Sequence, residues 1–191
     1  IGDIGVDGAT YRTMEWTGEA IMKFSMEERM TLCNMAIEGG GKNAVIEADE
    51  VTFEYVQKRT KKPYTVYRSD PDVNYYFKKS YDASAMEPVV AKPHSPDNKA
   101  LVKDCCDIKI DRSYIGSCTG GKYTDFLAAA KLLKGKKVAV NTFIVPATTE
   151  VRKDLERETL DGKTLMDIFK DSGCAIGDAS CAACLGGPKD T

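Results

Sequence analysis

The sequence predicts an α/β fold, three-layer α/β/α on a mainly parallel sheet, on the strength of one strand and the order of the elements around it. Val138–Val145 (VAVNTFIV) is a run dominated by apolar β-formers, the pattern of a strand buried on both sides in a parallel sheet. Ile108, Ile110, Tyr114 and Ile115 form a strand before it, and Cys174–Gly177 a short strand or turn after it. Helices fall between: Tyr123–Leu133 on one side, Val151–Glu158 and Leu165–Lys170 on the other. Strand, helix, strand, helix, strand implies right-handed crossovers with helices on the sheet faces. Ligands in such sheets lie at the carboxyl ends of the strands.

The 191 residues suffice for one large unit or two small ones. The pattern changes near residue 104, which divides the chain into 1–104 and 105–191. An apolar fraction of 42% is enough for an ordinary globular core. A formal net charge of −2 gives no basic field of the kind nucleic acid needs, so nucleic acid is not expected as a partner. No apolar run approaches the roughly 18 residues that span a bilayer, so no membrane association is expected. The start, Ile1-Gly2-Asp3-Ile4-Gly5, has no signal-peptide pattern and reads as mid-domain sequence. With the abrupt end at Lys189-Asp190-Thr191, the expectation is a piece of a longer chain.

In chain order, residues 1–24 mix glycine turns with a short helix near Trp16–Met22. Ser25-Met26-Glu27-Glu28 is a capping box opening a helix that runs to about Glu38, where Gly39-Gly40-Gly41 stops it. Met26, Met30, Cys33 and Ile37 fall at helical spacing and predict a buried stripe, with Asn34 and Glu38 stacked one turn apart beside it. A carboxylate in the last turn opposes the helix dipole. Glu38 is therefore either a solvated surface residue or a functional carboxylate beside a close-approach glycine turn. Ala44–Ile46 reads as a strand and Val51–Arg59 as a charged helix. The Tyr75, Tyr76, Phe77, Lys78 and Lys79 cluster reads as a half-buried element with solvated lysines. Val89–Lys92 is extended, Pro93 to Asn98 a loop, and Leu101–Cys106 a helix or edge segment.

Chemistry concentrates at the cysteines, which number seven. An odd count without a secretory feature points to reduced thiols in a cytoplasmic protein, some of them metal ligands. The single histidine, His94, excludes a zinc site built on several histidines. Cys118 stands in the turn Gly116-Ser117-Cys118-Thr119-Gly120-Gly121-Lys122, between a strand and a helix, where backbone N–H groups favour a thiolate. Cys181 and Cys184 form a Cys-x-x-Cys pair among the small residues Ala182, Ala183, Gly186 and Gly187. All three follow strands, which puts them on one rim of the sheet. Spacing alone leaves open a redox pair, a zinc site completed by Cys174 or Cys118, buried packing, and an iron–sulfur cluster; three thiolates without histidine fit the last. Cys33 and the adjacent Cys105 and Cys106 read as structural. The turn also matches most of a phosphate-binding loop, but Tyr123 occupies the position where Ser or Thr holds magnesium.

These residues resemble a known family. Ser113 to Thr119 with Tyr123-Thr124-Asp125, and the closing Cys181-x-x-Cys184-Leu185-Gly186, resemble the cluster-binding motifs of the aconitase / 3-isopropylmalate dehydratase large-subunit family. Met30 to Glu38, Gly5 to Thr10 and Pro93 to Asn98 resemble it too, in the same order along nearly the whole chain. The resemblance implies a [4Fe–4S] cluster held by Cys118, Cys181 and Cys184. It implies a hydro-lyase that moves water across a 2-hydroxy di- or tricarboxylate, the open iron binding hydroxyl and carboxylate. Asn34 is implied near the cluster and Glu38 facing its bound water or hydroxyl. Isopropylmalate, homocitrate and dimethylmalate share the malate core that meets the iron, so the substrate stays open; a non-catalytic binding module, with zinc or with no metal, is the competing reading. Two departures matter. The family usually has Asn where this chain has Gly120. Its His- and Asp-rich segments, its arginine-bearing segment and its serine-bearing swivel domain, often a separate small subunit, lie outside these residues, so this chain alone is not expected to turn over.

Overall fold

The computed structural model describes residues 1–181 and 183–185, with the main chain only at Leu185. Two compact units result, Ile1–Asp107 and Ile108–Thr191. Both contain helices and parallel strands, an α/β fold. Among the described residues no helix is long and apolar enough to cross a membrane.

In the first unit, β1 (Thr13–Trp16) runs parallel to a strand some thirty residues on, with Thr13 opposite Asn43 and Trp16 opposite Ile46. The expected helix at Trp16 therefore begins only at Glu19, after Gly18 turns the chain at φ 103°; α1 is Glu19–Met22. α2 (Met26–Asn34) opens on the predicted capping box, Ser25 and Glu28 bonding each other's main chain. Its last turn differs from expectation. The chain tightens into a 3₁₀ turn at Met35–Gly39 before Gly40 ends it at φ 83°. A 3₁₀ turn advances about 120° per residue against about 100° in an α-helix. Glu38 is consequently rotated off the Asn34 face, and Ile37 turns outward, 63% exposed, where a buried stripe had been expected. The residues of this segment that reach the interior are Arg29, Ala36 and Gly39.

β2 (Asn43–Ile46) follows, then α3 (Glu50–Gln57), capped by Asp49, whose side chain accepts from the Thr52 N–H. Asp49 also holds Arg29, whose side chain is 2% exposed: Nη1 and Nη2 reach the two carboxylate oxygens at 2.6 and 2.8 Å. Nε and Nη2 donate in addition to the carbonyls of Phe24 and Met22. Asp49→Asn leaves a buried guanidinium short of its counter-charge. The expected loss of stability is about 3 kcal/mol, the low end for breaking a buried pair because Asp49 itself is partly exposed. The hydrogen bond from Arg29 holds the Asp49 carboxyl below the usual carboxylate range. Its stabilisation is thus full above about pH 4, the unfolded value, and is lost as pH falls through the depressed folded value. Urea unfolding at a series of pH values should show this acid limb in the parent and a weaker one in Asp49→Asn.

Residues 58–88 have little regular structure. Tyr75 is half-buried, with its hydroxyl on the Glu15 carboxylate, but Tyr76 and Phe77 are 83% and 63% exposed and belong to no helix or strand, against the half-buried element expected. β3 (Val89–Ala91) and β4 (Lys99–Leu101) form an antiparallel hairpin, and a 3₁₀ turn at Val102–Cys105 follows.

The second unit carries the predicted sheet. β5 (Arg112–Gly116) leads through α4 (Ser117–Gly120) to α5 (Tyr123–Leu133), β6 (Asn141–Val145) and α6 (Thr149–Arg157). The short strands β7 (Thr159–Leu160) and β8 (Lys163–Thr164) precede α7 (Leu165–Ser172) and β9 (Ala175–Ile176). The sheet order is β5-β6-β9, all parallel, with Gly116 opposite Val145 and Ile144 opposite Ile176. Phe126, Ala130, Ile144, Leu155, Leu165 and Phe169 pack into one core, Phe126 and Phe169 edge to face at 6.0 Å. β6 is shorter than the apolar run because the Val138 N–H bonds the Ser172 carbonyl rather than a strand neighbour, and β5 begins only opposite Asn141. Ile108 and Ile110 stay outside β5, both well exposed.

Candidate functional site

The Cys118 turn is built by two glycines. Gly116 ends β5 at φ 152°, and a Cβ there would lie 2.1 Å from the Val145 carbonyl oxygen. At Gly121 a Cβ would lie 2.4 Å from the Ser117 carbonyl oxygen. Between them, α4 is a single helical turn with Cys118 as its second residue, half-buried, its Sγ 3.8 Å from the Thr119 hydroxyl. Lys122 closes the turn. It is 7% exposed, and its Nζ donates to the carbonyls of Cys118 and Thr119 at 2.9 and 3.0 Å. A phosphate-binding loop needs that ammonium aimed at its ligand; here it is occupied by the turn's own backbone. The Lys122 N–H donates to the Asp125 carboxylate, which starts α5.

Cys181 reaches the same rim from the other side of β6. The Gly177 N–H bonds the Ile144 carbonyl and the Ser180 N–H bonds the Pro146 carbonyl, so the segment after β9 is laid over the carboxyl end of the central strand. The next residue, Ala147, donates its N–H to the Gly121 carbonyl. The Pro146–Ala147 segment thus carries the Cys118 turn on one side and the Cys181 approach on the other. Cys118 and Cys184, the latter in a 3₁₀ turn at Ala183–Leu185, are the thiols that bear on the ionisation of Cys181. Cys181 titrates above an ordinary thiol, first through the neighbouring Cys118 thiol, then through burial and the charge of Cys118 and Cys184. Among the described residues no three His, Cys, Asp or Glu side chains close to metal-ligand spacing. Ala182, Gly186 and Gly187, the small neighbours noted in the sequence, lie outside the described residues.

The donor set fits an iron–sulfur group on its chemistry. Crowded thiols oppose one another's ionisation, and a bound cation reverses that by favouring every thiolate at once. The seven cysteines include no disulfide, and Cys33 and Cys174 are raised by burial as packing residues are. Ser117 is the exception to economical packing here. It holds φ 65°, the left-handed region, and its Oγ is buried with no hydrogen bond of ordinary length. Each feature costs about 1 kcal/mol or more. Ser117 adjoins Cys118 in the turn.

In the first unit Glu38 is half-buried in the 3₁₀ turn, and its Oε2 is buried with no hydrogen-bond partner among the described residues. One carboxylate oxygen of Glu38 is thus withdrawn from solvent while the residue as a whole stays half-buried. The turn is held from behind by the loop Val6–Thr10: the Ala9 N–H bonds the Gly39 carbonyl, and a Cβ on Gly40 would lie 2.8 Å from the Thr10 hydroxyl. Asn34 is exposed at the end of α2.

A family model for the aconitase family (aconitate hydratase) matches residues 1–107 and 102–191. The chain belongs to the aconitase family. The chloroplastic 3-isopropylmalate dehydratase large subunit of Arabidopsis thaliana is 55% identical over 197 residues, which cover all of this chain and 39% of that protein. The 3-isopropylmalate dehydratase large subunits of Heliobacterium modesticaldum and Pyrococcus furiosus are 49% and 46% identical, each over 98% of this chain and 44% of their own length. The chain therefore spans about two fifths of these relatives. The aconitase family is an iron–sulfur family, in keeping with the thiol rim.

Gly120 is where the turn departs from the usual aconitase-family Asn. A Cβ there meets nothing within 4 Å, and no left-handed φ restricts it. Gly120→Asn is therefore expected to change stability by no more than about 0.5 kcal/mol. A thermal melt showing a loss above about 1 kcal/mol would mean the space is not open. Sequence reasoning missed Ser117, Lys122 and the Pro146–Ala147 junction. Lys122 carried a signal, its place in the phosphate-loop pattern; the other two carried none.

Proposed function

We propose that this chain is the cluster-bearing part of a hydro-lyase large subunit of the 3-isopropylmalate dehydratase type, acting on a 2-hydroxy di- or tricarboxylate. The observation that carries the reading is that the Cys118 turn and the segment leading to Cys181, 63 residues apart in sequence, are both hydrogen-bonded to Pro146–Ala147 at the end of the central strand. The names of the relatives favour isopropylmalate over homocitrate or dimethylmalate. In this reading Cys118, Cys181 and Cys184 hold a [4Fe–4S] cluster, and the arrangement around it is three-layer α/β/α. Bound there, the cluster supplies a Lewis acid for hydroxyl and carboxylate oxygens. The chain's own residues do the rest. Glu38, with Oε2 buried and unpartnered, exchanges the proton of the leaving or entering hydroxyl. Asn34 supplies an amide that orients a polar group of the site. Lys122 keeps the Cys118 turn rigid through the two carbonyls it holds.

Residues 1–104 and 105–191 act as successive subdomains of one cluster-binding core. A small subunit is the partner, following the name "large subunit". The compartment is a reducing one, cytoplasm or, as the Arabidopsis name indicates for that relative, the chloroplast. Anaerobic reconstitution with iron and sulfide tests the reading. Broad visible absorption with about four irons per chain is expected. Stoichiometric zinc uptake with no iron would overturn it.

A further inference from the structure

We propose that Ser117 is a second-sphere ligand of the bound cluster, its hydroxyl donating a hydrogen bond to sulfur and so raising the cluster's reduction potential. The inference rests on the cluster reading above and extends it to a residue outside the three thiols.

Three observations converge on this side chain. Ser117 is 8% exposed, and its Oγ has no hydrogen bond of ordinary length among the described residues. A buried hydroxyl in that state is a rare feature of a native structure and calls for an acceptor. Its backbone holds φ 65°, a conformation for which glycine would be the unstrained choice. The fold thus keeps a hydroxyl where the backbone alone would favour no side chain at all. Third, the hydroxyl is next in sequence to Cys118, and the segment leading to Cys181 is tied to the same strand end as the Cys118 turn by the Ser180–Pro146 and Ala147–Gly121 backbone bonds. The acceptors at hand are sulfur. A thiol sulfur accepts weakly, but a metal-bound thiolate or sulfide carries negative charge and accepts well. Ser117 is unsatisfied beside protonated thiols and satisfied beside a cluster. Hydrogen bonds to cluster sulfurs stabilise the reduced form, which carries the extra electron, and move the potential up.

The test uses the full chain, reconstituted anaerobically, as parent, Ser117→Ala and Ser117→Gly. Both variants lose the hydroxyl. Alanine keeps the backbone strain, whereas glycine relieves it, so their stabilities diverge while their hydrogen bonding does not. The expected result is iron content equal to the parent and a midpoint potential shifted negative by the same amount in both, with the glycine variant melting higher than the alanine variant. A midpoint unmoved in both, or a shift that follows melting temperature and appears in one variant only, overturns the assignment while leaving the cluster reading intact. A parent chain that takes up zinc and no iron overturns both.

Discussion

Gly116→Ala is expected to unfold the unit from Ile108 onward. The added Cβ would stand 2.1 Å from the Val145 carbonyl oxygen and 2.8 Å from its carbon, both backbone atoms of the neighbouring strand. Backbone cannot swing aside as a flexible side chain can. Gly116 and Val145 are register partners, so the clash falls at the last pair of the β5–β6 ladder. The φ of 152° adds strain for any L side chain. Relief requires β5 to part from β6, which exposes Ile144 and Val145, both fully buried. The loss should reach about 4 kcal/mol or more, in the tail reserved for a named steric failure. Circular dichroism melts of the alanine variant should show the main transition lowered by many degrees or lost. A transition within about 4 °C of the parent would mean that the strand ends separate freely. Gly120→Ala, four residues on with open space around it, is the matched control.

Cys118→Ser should have the opposite profile, with little change in fold and complete loss of cluster. Serine differs from cysteine by one atom, and Cys118 is only half-buried in its turn. The Lys122 contacts that shape the turn go to carbonyl oxygens, which the substitution leaves in place. Stability should change by less than about 1 kcal/mol. A serine oxygen is a hard donor and replaces a soft thiolate poorly for iron–sulfur chemistry. Iron per chain should fall from about four to near zero, with the visible absorption. Cys174→Ser reverses the pattern. Cys174 is 8% exposed in the core, so a hydroxyl there costs stability while iron uptake stays at the parent level. If Cys118→Ser still loads about four irons, the ligand assignment is wrong.

The second unit was legible because its pattern and its packing agree. Tyr123–Leu133 begins and ends where the apolar spacing places it, and VAVNTFIV is the central strand, shortened at its start by the Val138 bond to Ser172. The β7–β8 hairpin was missed although its signal was present: Asp161-Gly162, both left-handed at φ 50° and 81°, is the sequence such turns select. In the first unit helical spacing misled. It assumes 3.6 residues per turn, and the change to a 3₁₀ turn at Met35 turned Ile37 outward and separated Glu38 from Asn34. That change follows from the loop Val6–Thr10 packing on Gly39 and Gly40, a contact about thirty residues distant that no local pattern records. The thiol pair was legible as residue types; its meeting point at Pro146–Ala147 depends on two backbone hydrogen bonds and was not.

That junction has a thermodynamic consequence. A ligand gripped at once by Cys118 and Cys181 holds two peptide segments that both hang on the end of β6. Its binding free energy is then shared by the whole sheet. At a free concentration of one hundred times its dissociation constant such a ligand adds about 2.7 kcal/mol to the unfolding free energy. Loss of such a ligand would remove that contribution from β5, β6 and β9 together, so under the proposed cluster reading the unit's resistance to heat and to proteases would gauge whether iron is in place.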